Sequence, residues 1–220
     1  MVRVLLVDDH DLVRTGIRRL LEDNEGIEVV GEARSGEDAL IAAQSTAPEI
    51  VLMDINMPGM GGLEATRKLL RINPDLKVIV VSVHTDGLVP KRLLEAGAVG
   101  YLTKGCSADE VVLAVRTVKR GQRYISREVA QNLALNTVTG KGNELEALSQ
   151  RELQVLLMIT QGRSIQEISD LLFLSPKTVS TYRSRIFKKL GVDSDVELTH
   201  LALRHGIIEP GATDTHAVGR

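Results

Sequence analysis

Residues 51–62 read VLMDINMPGMGG. An apolar run closes on one carboxylate, Asp54, and then breaks into turn chemistry at Pro58, Gly59, Gly61 and Gly62. A short apolar run bounded in this way is the pattern of a fully buried strand. A carboxylate at its end is costly unless it is partnered, exposed or put to use. Comparable runs at Val2–Val7, Ile27–Val30, Val78–Val81 and Val99–Leu102 give five predicted strands with the one at Ile50–Met53. Helical patterns lie between and after them, near 11–23, 36–46, 62–72, 88–96 and 107–120. Leu12, Ile17, Leu20 and Leu21 form one apolar stripe, and Ser107 with Glu110 forms a capping box. Five strands alternating with five helices predict an α/β fold, a doubly wound five-stranded parallel sheet. Such sheets place their sites outside the carboxyl ends of the strands, at the topological switch point.

If Val2–Val7 and Ile50–Met53 are neighbours, the residues that follow them, Asp8, Asp9 and Asp54, emerge at one edge. The fourth strand runs into Ser82, and Lys104 follows the fifth. Three converging carboxylates repel one another, and a hard divalent cation relieves that repulsion. Mg²⁺ suits the edge because it needs few protein ligands and keeps several waters. A hydroxyl and an ammonium beside the metal are groups that can hold phosphoryl oxygens, so this edge predicts phosphoryl chemistry.

The chain changes character after residue 120. A short helical stretch near 126–136 is followed by TVTGKGNE at 137–144, which reads as a flexible linker. From Leu148 onward the patterns are helical only, at 149–161, 164–173, 176–190 and 194–205, which predicts a small four-helix domain. The net charge of −2 conceals a segregation: Ser175–Leu190 (SPKTVSTYRSRIFKKL) carries five basic residues and no acidic one. Val179, Ile186 and Leu190 form an apolar back to this helix, and Lys177, Thr181, Ser184 and Lys188 a polar front. Such a helix suits the major groove of double-stranded DNA. The preceding SIQEISDLLF supplies the first half of a helix-turn-helix.

A single cysteine, Cys106, excludes an internal disulfide and a cysteine-based zinc site. No apolar stretch approaches the length of a membrane span, and the N-terminus turns acidic too early for a secretion signal. The expectation is a cytoplasmic protein with no membrane partner.

The stretches VLLVDDH, LMDINMPGMGGLE, VIVVSV and GAVGYLTKG resemble the receiver domain of two-component response regulators over residues 1–122. The resemblance implies that Asp54 accepts a phosphoryl group from a sensor histidine kinase. It further implies that Asp8, Asp9 and Asp54 ligate Mg²⁺, together with the backbone carbonyl of Asn56. Ser82 and Lys104 would engage the phosphoryl group, and Tyr101 stands where the family keeps an aromatic switch. Residues 146–210, from LSQRELQVL through IQEISDLLFLSPKTVSTYRSRIFKKLGV to VELTHLALRHGII, resemble the LuxR-type DNA-binding domain. The segment 123–145 would be a linker with a short helix, and 211–220 a flexible tail. The pairing of these domains is that of the NarL/FixJ subfamily, and DLVRTGI, GLEATRKLL and GQRYIS resemble its GacA/UvrY/SirA branch.

On that resemblance the chain is a bacterial transcription regulator and not an enzyme. Its kinase would be a hybrid of BarA/GacS type, its targets small regulatory RNA genes, and its active form a homodimer. Lys177, Tyr182, Arg183, Arg185 and Lys188 are expected at DNA phosphates and Ser180, Thr181 and Ser184 at base edges, with Thr178 on the same helix. Val196, Leu198, Leu201 and Ala202 are expected to form either the pairing surface or part of the small domain's own core. A haloacid-dehalogenase-like phosphatase would need a second Asp where Asn56 stands. A receptor for a diffusible signal would need an aromatic-lined pocket, whereas the first 120 residues contain one Tyr and neither Trp nor Phe.

Overall fold

A computed structural model describes residues 1–85, 88–139 and 144–204. It divides into two compact units, one comprising Met1–Thr85 and Pro90–Leu135 and the other formed by the later part of the chain. In the first unit β1 (Val2–Val7), β2 (Ile27–Ala33), β3 (Ile50–Asp54), β4 (Lys77–Ser82) and β5 (Gly100–Thr103) alternate with α1 (Asp11–Glu22), α2 (Gly36–Thr46), α3 (Gly62–Ile72), α4 (Leu88–Glu95) and α5 (Ala108–Lys119). The expected α/β sheet is present, with one correction. A sixth strand, β6 (Tyr124–Ile125), pairs in parallel with β5, so the order is β2-β1-β3-β4-β5-β6. Two residues carry no readable alternation. The open backbone edge of β5 recruits them, within the segment expected to be linker.

The near-continuous apolar strands follow from burial on both faces. Alternate residues point oppositely. Val4, Leu6, Ile50 and Leu52 join Leu21, Val111 and Val115 on the α1/α5 side. Leu5, Val7, Val51 and Met53 join Ala39, Ala65 and Leu69 on the α2/α3 side. Burial on both faces keeps β1 apolar from Val4 to Val7 and β3 apolar from Ile50 to Met53, so the carboxylates Asp8 and Asp54 fall at the ends of these runs.

The helix expected near 126–136 is α6 (Arg127–Thr139), and a 3₁₀ turn at Glu144–Ala147 precedes the helices of the small domain. The remaining expected linker, 140–143, lies outside the described residues, as do 205–210 of the small domain and the tail at 211–220. The second unit consists of α7 (Gln150–Thr160), α8 (Ile165–Leu172), α9 (Pro176–Leu190) and α10 (Asp195–Arg204). Ser149 and Ser164 each form a full capping box, with Glu152 and Glu167, and Ser175 caps α9 ahead of Pro176 in its first turn. Val179, Ile186 and Leu190 are buried, as the stripe predicts. No helix among the described residues is long and apolar enough to cross a membrane.

Candidate functional site

The sheet reverses its winding between β1 and β3, which makes their carboxyl ends the switch point. The ladder between them ends at Val7↔Met53, so Asp8 and Asp54 are the next residues out on adjacent strands. Asp54 is 1% exposed and Asp8 5%. Ligand atoms of Asp8, Asp9, His10 and Asp54 all lie within 4.8 Å of one another. Lys104 reaches in from the end of β5, its Nζ 3.0 Å from Asp8 Oδ2 and 3.0 Å from Asp54 Oδ2. Only the Asp8 contact is aligned as a hydrogen bond. Asp54 Oδ1 accepts from Ile55 N–H at 2.7 Å, whereas Asp54 Oδ2 and Asp9 Oδ1 are buried without a directed donor.

Burial pushes the Asp54 carboxyl above its ordinary range. The Lys104 ammonium offsets part of that rise, and the Asp8 charge adds to it. Burial pulls on Lys104 in the other direction, but the two carboxylates outweigh it and the ammonium is held more firmly protonated than usual. Buried oxygens without a hydrogen-bond donor, set among convergent carboxylates, are the donor set of a hard divalent cation, and the site fits Mg²⁺ on that ground.

The loop after Asp54 is held closely. A Cβ on Gly62 would lie 2.1 Å from the Asp54 carbonyl oxygen, so only glycine permits this approach. The Glu37 carboxylate accepts from Met60 N–H at 2.9 and 3.0 Å, which pins the far side of the loop to α2. Ser82, fully buried, accepts from His84 N–H at 3.0 Å. Tyr101 is fully buried as well, and its hydroxyl donates to the His84 carbonyl at 2.7 Å. Burial raises the phenol above its usual range, partly offset by a side-chain hydrogen bond with Ser82, so the hydroxyl keeps its proton. With β6 outside it, β5 is not an edge strand and Tyr101 is enclosed. Asn56 sits beside the pocket, its Nδ2 3.3 Å from His84 Nε2.

In the second unit α9 exposes Lys177, Thr181, Ser184, Arg185 and Lys188, while Thr178, Ser180, Tyr182 and Arg183 are half-buried. Thr181 Oγ1 and Ser184 Oγ donate to the carbonyls four residues earlier, leaving their oxygens free to accept. Two of the five cations are consumed internally. Arg183 forms a bidentate pair with Asp195 at 2.8 and 3.0 Å and stacks 4.4 Å over Phe187. Lys189 pairs with buried Glu152 at 2.6 Å and donates to the Ala147 carbonyl. On α10, Leu198, Leu201 and Ala202 are buried in this unit's own core, the second of their two expected placements. Val196 alone of the four is exposed.

Residues 4–116 match the response regulator receiver domain family, and residues 146–202 match the bacterial regulatory proteins of the luxR family. The chain is 57% identical to response regulator GacA of Pseudomonas protegens over 95% of this chain and 99% of that protein. It is 55% identical to response regulator UvrY of Escherichia coli K12 over 94% and 96%. The chain belongs to the LuxR-type two-component response regulators.

Solved structures agree. RcsB of Salmonella enterica serovar Typhimurium bound to promoter rprA with a phosphomimetic is 25% identical at TM-score 0.66, covering 91% of this chain and 98% of that one. A LuxR-family response regulator from Aurantimonas is 38% identical at TM-score 0.60, covering 62% of this chain and 97% of that one. Members of this family are DNA-binding transcription factors phosphorylated by histidine kinases, and their receiver domains bind Mg²⁺ in an acidic pocket. Sequence reasoning missed the partners that shape the two sites: Arg14, Glu37, His84, Glu152 and Asp195. Each is an ordinary polar residue in a helix or loop, and only the fold shows what it touches.

Proposed function

We propose that Asp54 is the phosphoacceptor. The observation that carries this is the Lys104 ammonium poised 3.0 Å from both Asp54 Oδ2 and Asp8 Oδ2 on a carboxylate that burial would otherwise disfavour. Because Oδ1 is held by Ile55 N–H, Oδ2 is the nucleophile. A bond forms between Oδ2 and phosphorus as the kinase's histidine nitrogen–phosphorus bond breaks, and the electron pair leaves with the imidazole. Asp8, Asp9 and Asp54, with the Asn56 backbone carbonyl, would hold Mg²⁺, which supplies charge neutralisation at the phosphoryl oxygens when bound. Lys104 pairs with one of those oxygens, Ser82 donates to another, and Tyr101 reports the change.

The output is control of transcription in the cytoplasm, with α9 in the major groove. Lys177, Tyr182, Arg185 and Lys188 meet phosphates, and Thr178, Ser180, Thr181 and Ser184 face the bases. Arg183 leaves the phosphate set because Asp195 holds it. The likeness to GacA and UvrY supports a BarA/GacS-type hybrid kinase, small regulatory RNA genes as targets and a homodimer as the active form. Incubation with Mg²⁺ and acetyl phosphate, read by intact mass, tests the core of this reading. One acid-stable, base-labile adduct of phosphoryl mass is expected in the wild type and none in Asp54→Asn. An adduct that persists in Asp54→Asn refutes the assignment.

A further inference from the structure

Arg14 is 4% exposed, deep for a residue type that is buried only when paired. Its guanidinium divides its hydrogen bonds. Nε donates to Glu32 Oε2 at 3.1 Å and Nη2 to Asp11, two acids nearer the surface. Nη1 donates elsewhere, to the main-chain carbonyl of Asp8 at 2.6 Å. The Glu32 pair staples α1 to β2 and the Asp11 pair lies within α1, and neither accounts for this third bond, which goes to main chain.

The position of Asp8 supplies the reason. The β1–β3 ladder ends one residue earlier, at Val7, and the Asp8 N–H goes to Ala33 O at 3.2 Å. The Asp8 carbonyl therefore leaves the strand with no ladder donor, at the point where the chain turns to present two carboxylates. Arg14 supplies that donor. A cavity of about 10 Å³, room for one water, lies between Arg14, Asp8 and Asp54, walled by Leu6 and Leu52. Arg14 thus lines the same small cavity as Asp8 and Asp54.

We infer that Arg14 is a positioning residue of the acidic pocket. By fixing the Asp8 peptide it aims the Asp8 and Asp9 carboxylates at a divalent cation, while Asp11 and Glu32 balance its charge so that it does not compete for the metal. Outer-shell groups that orient metal ligands are worth about 10- to 100-fold in affinity. The inference rests on the proposed reading of the pocket as a Mg²⁺ site.

The test titrates the full chain with Mg²⁺ alone in a calorimeter, with melting measured alongside. Arg14→Gln cannot reach the Asp8 carbonyl and should weaken Mg²⁺ binding about tenfold. Glu32→Gln removes two ion pairs, to Arg14 and Arg18, but spares the Asp8 bond; it should lower the melting temperature and leave the Kd within twofold. In wild-type chain carrying ¹⁵N-arginine, the Arg14 side-chain resonance should move during the Mg²⁺ titration with the calorimetric Kd, a readout that holds even where Arg14→Gln does not fold. An unchanged Kd in folded Arg14→Gln, a resonance indifferent to saturating Mg²⁺, or equal loss of affinity in Glu32→Gln would each overturn the inference and leave the pocket intact. Wild-type chain that binds no Mg²⁺, or binds it as well after Asp9→Asn, would overturn the pocket reading and the inference with it.

Discussion

The salt dependence of DNA binding discriminates between counting charges in the sequence and counting them in the structure. Five basic residues lie on α9, and a dimer presenting all of them would make ten phosphate contacts. The slope of log K against log[salt] would then be about −9. The structure removes Arg183 to Asp195 and Lys189 to Glu152, leaving Lys177, Arg185 and Lys188. Six contacts per dimer give a slope of about −5, a loss of roughly three decades in affinity between 50 and 200 mM salt. Fluorescence anisotropy of phosphorylated protein on a labelled duplex over that range measures it. Lys188→Ala should flatten the slope by about 2 per dimer and weaken all sequences alike. Arg183→Ala should leave the slope unchanged while costing about 0.5–1 kcal/mol of stability, the range of an exposed bidentate pair. A slope near −9, or a loss of slope in Arg183→Ala equal to that in Lys188→Ala, would show that the Asp195 pair opens on DNA and that the structural count is wrong.

Four further outcomes are expected. Asp54→Asn should be more stable than wild type at neutral pH. A carboxyl whose folded pKa is raised makes ionisation costly above that pKa and costs nothing below the ordinary value of 3.8. The advantage, followed by thermal melts across pH, should therefore vanish below about pH 3.8; an advantage that grows on acidification reverses the argument. Gly62→Ala, whose Cβ meets the Asp54 carbonyl, should cost about 1–3 kcal/mol in denaturant melts of the receiver unit. Ala47, exposed at the α2 C-cap with φ 43°, should become Gly with a gain of about 0.5–1 kcal/mol. Val196→Glu should leave the melting of the small unit within about 0.5 kcal/mol yet weaken pairing on two-half-site DNA, read by analytical ultracentrifugation.

The sequence was most legible where burial imposes a periodicity. Both faces of the sheet are covered, so the runs at Val4–Val7 and Ile50–Met53 had to be apolar throughout and could only be strands between turns. The carboxylates at their ends followed from the same rule, because no position within the runs could hold them. β6 was not legible because its two residues owe their conformation to the free edge of β5, a property of the fold and not of Tyr124 or Ile125. The charge of α9 was legible as composition but not as availability. Asp195 and Glu152, distant in sequence, decide which cations remain. On α10 the helical spacing of Leu198, Leu201 and Ala202 announces an apolar stripe without saying whether it faces the same domain or a second copy, and α7 answers that.

Charges settled by partners also bear on how the pocket communicates. Ser82 Oγ is engaged by His84 N–H, and the carbonyl of the same residue is the acceptor for the Tyr101 hydroxyl. Under the proposed function, rotation of the Ser82 oxygen out of its present position toward a phosphoryl group on Asp54 releases the His84 N–H. A buried N–H released from its acceptor is costly, so the His84 backbone must reorient to find another. That movement carries the Tyr101 acceptor with it. Tyr101 has no solvent at hand to replace the lost bond, being fully buried. The hydroxyl, the backbone and the phenol therefore form one hydrogen-bonded unit with few alternative arrangements, which is the physical requirement for a two-state response rather than a graded one. Removing the phenolic hydroxyl takes one donor from the His84 carbonyl while leaving the His84 N–H bond to Ser82 in place. The coupling then ends at the loop, although the chemistry at Asp54 keeps every group it needs.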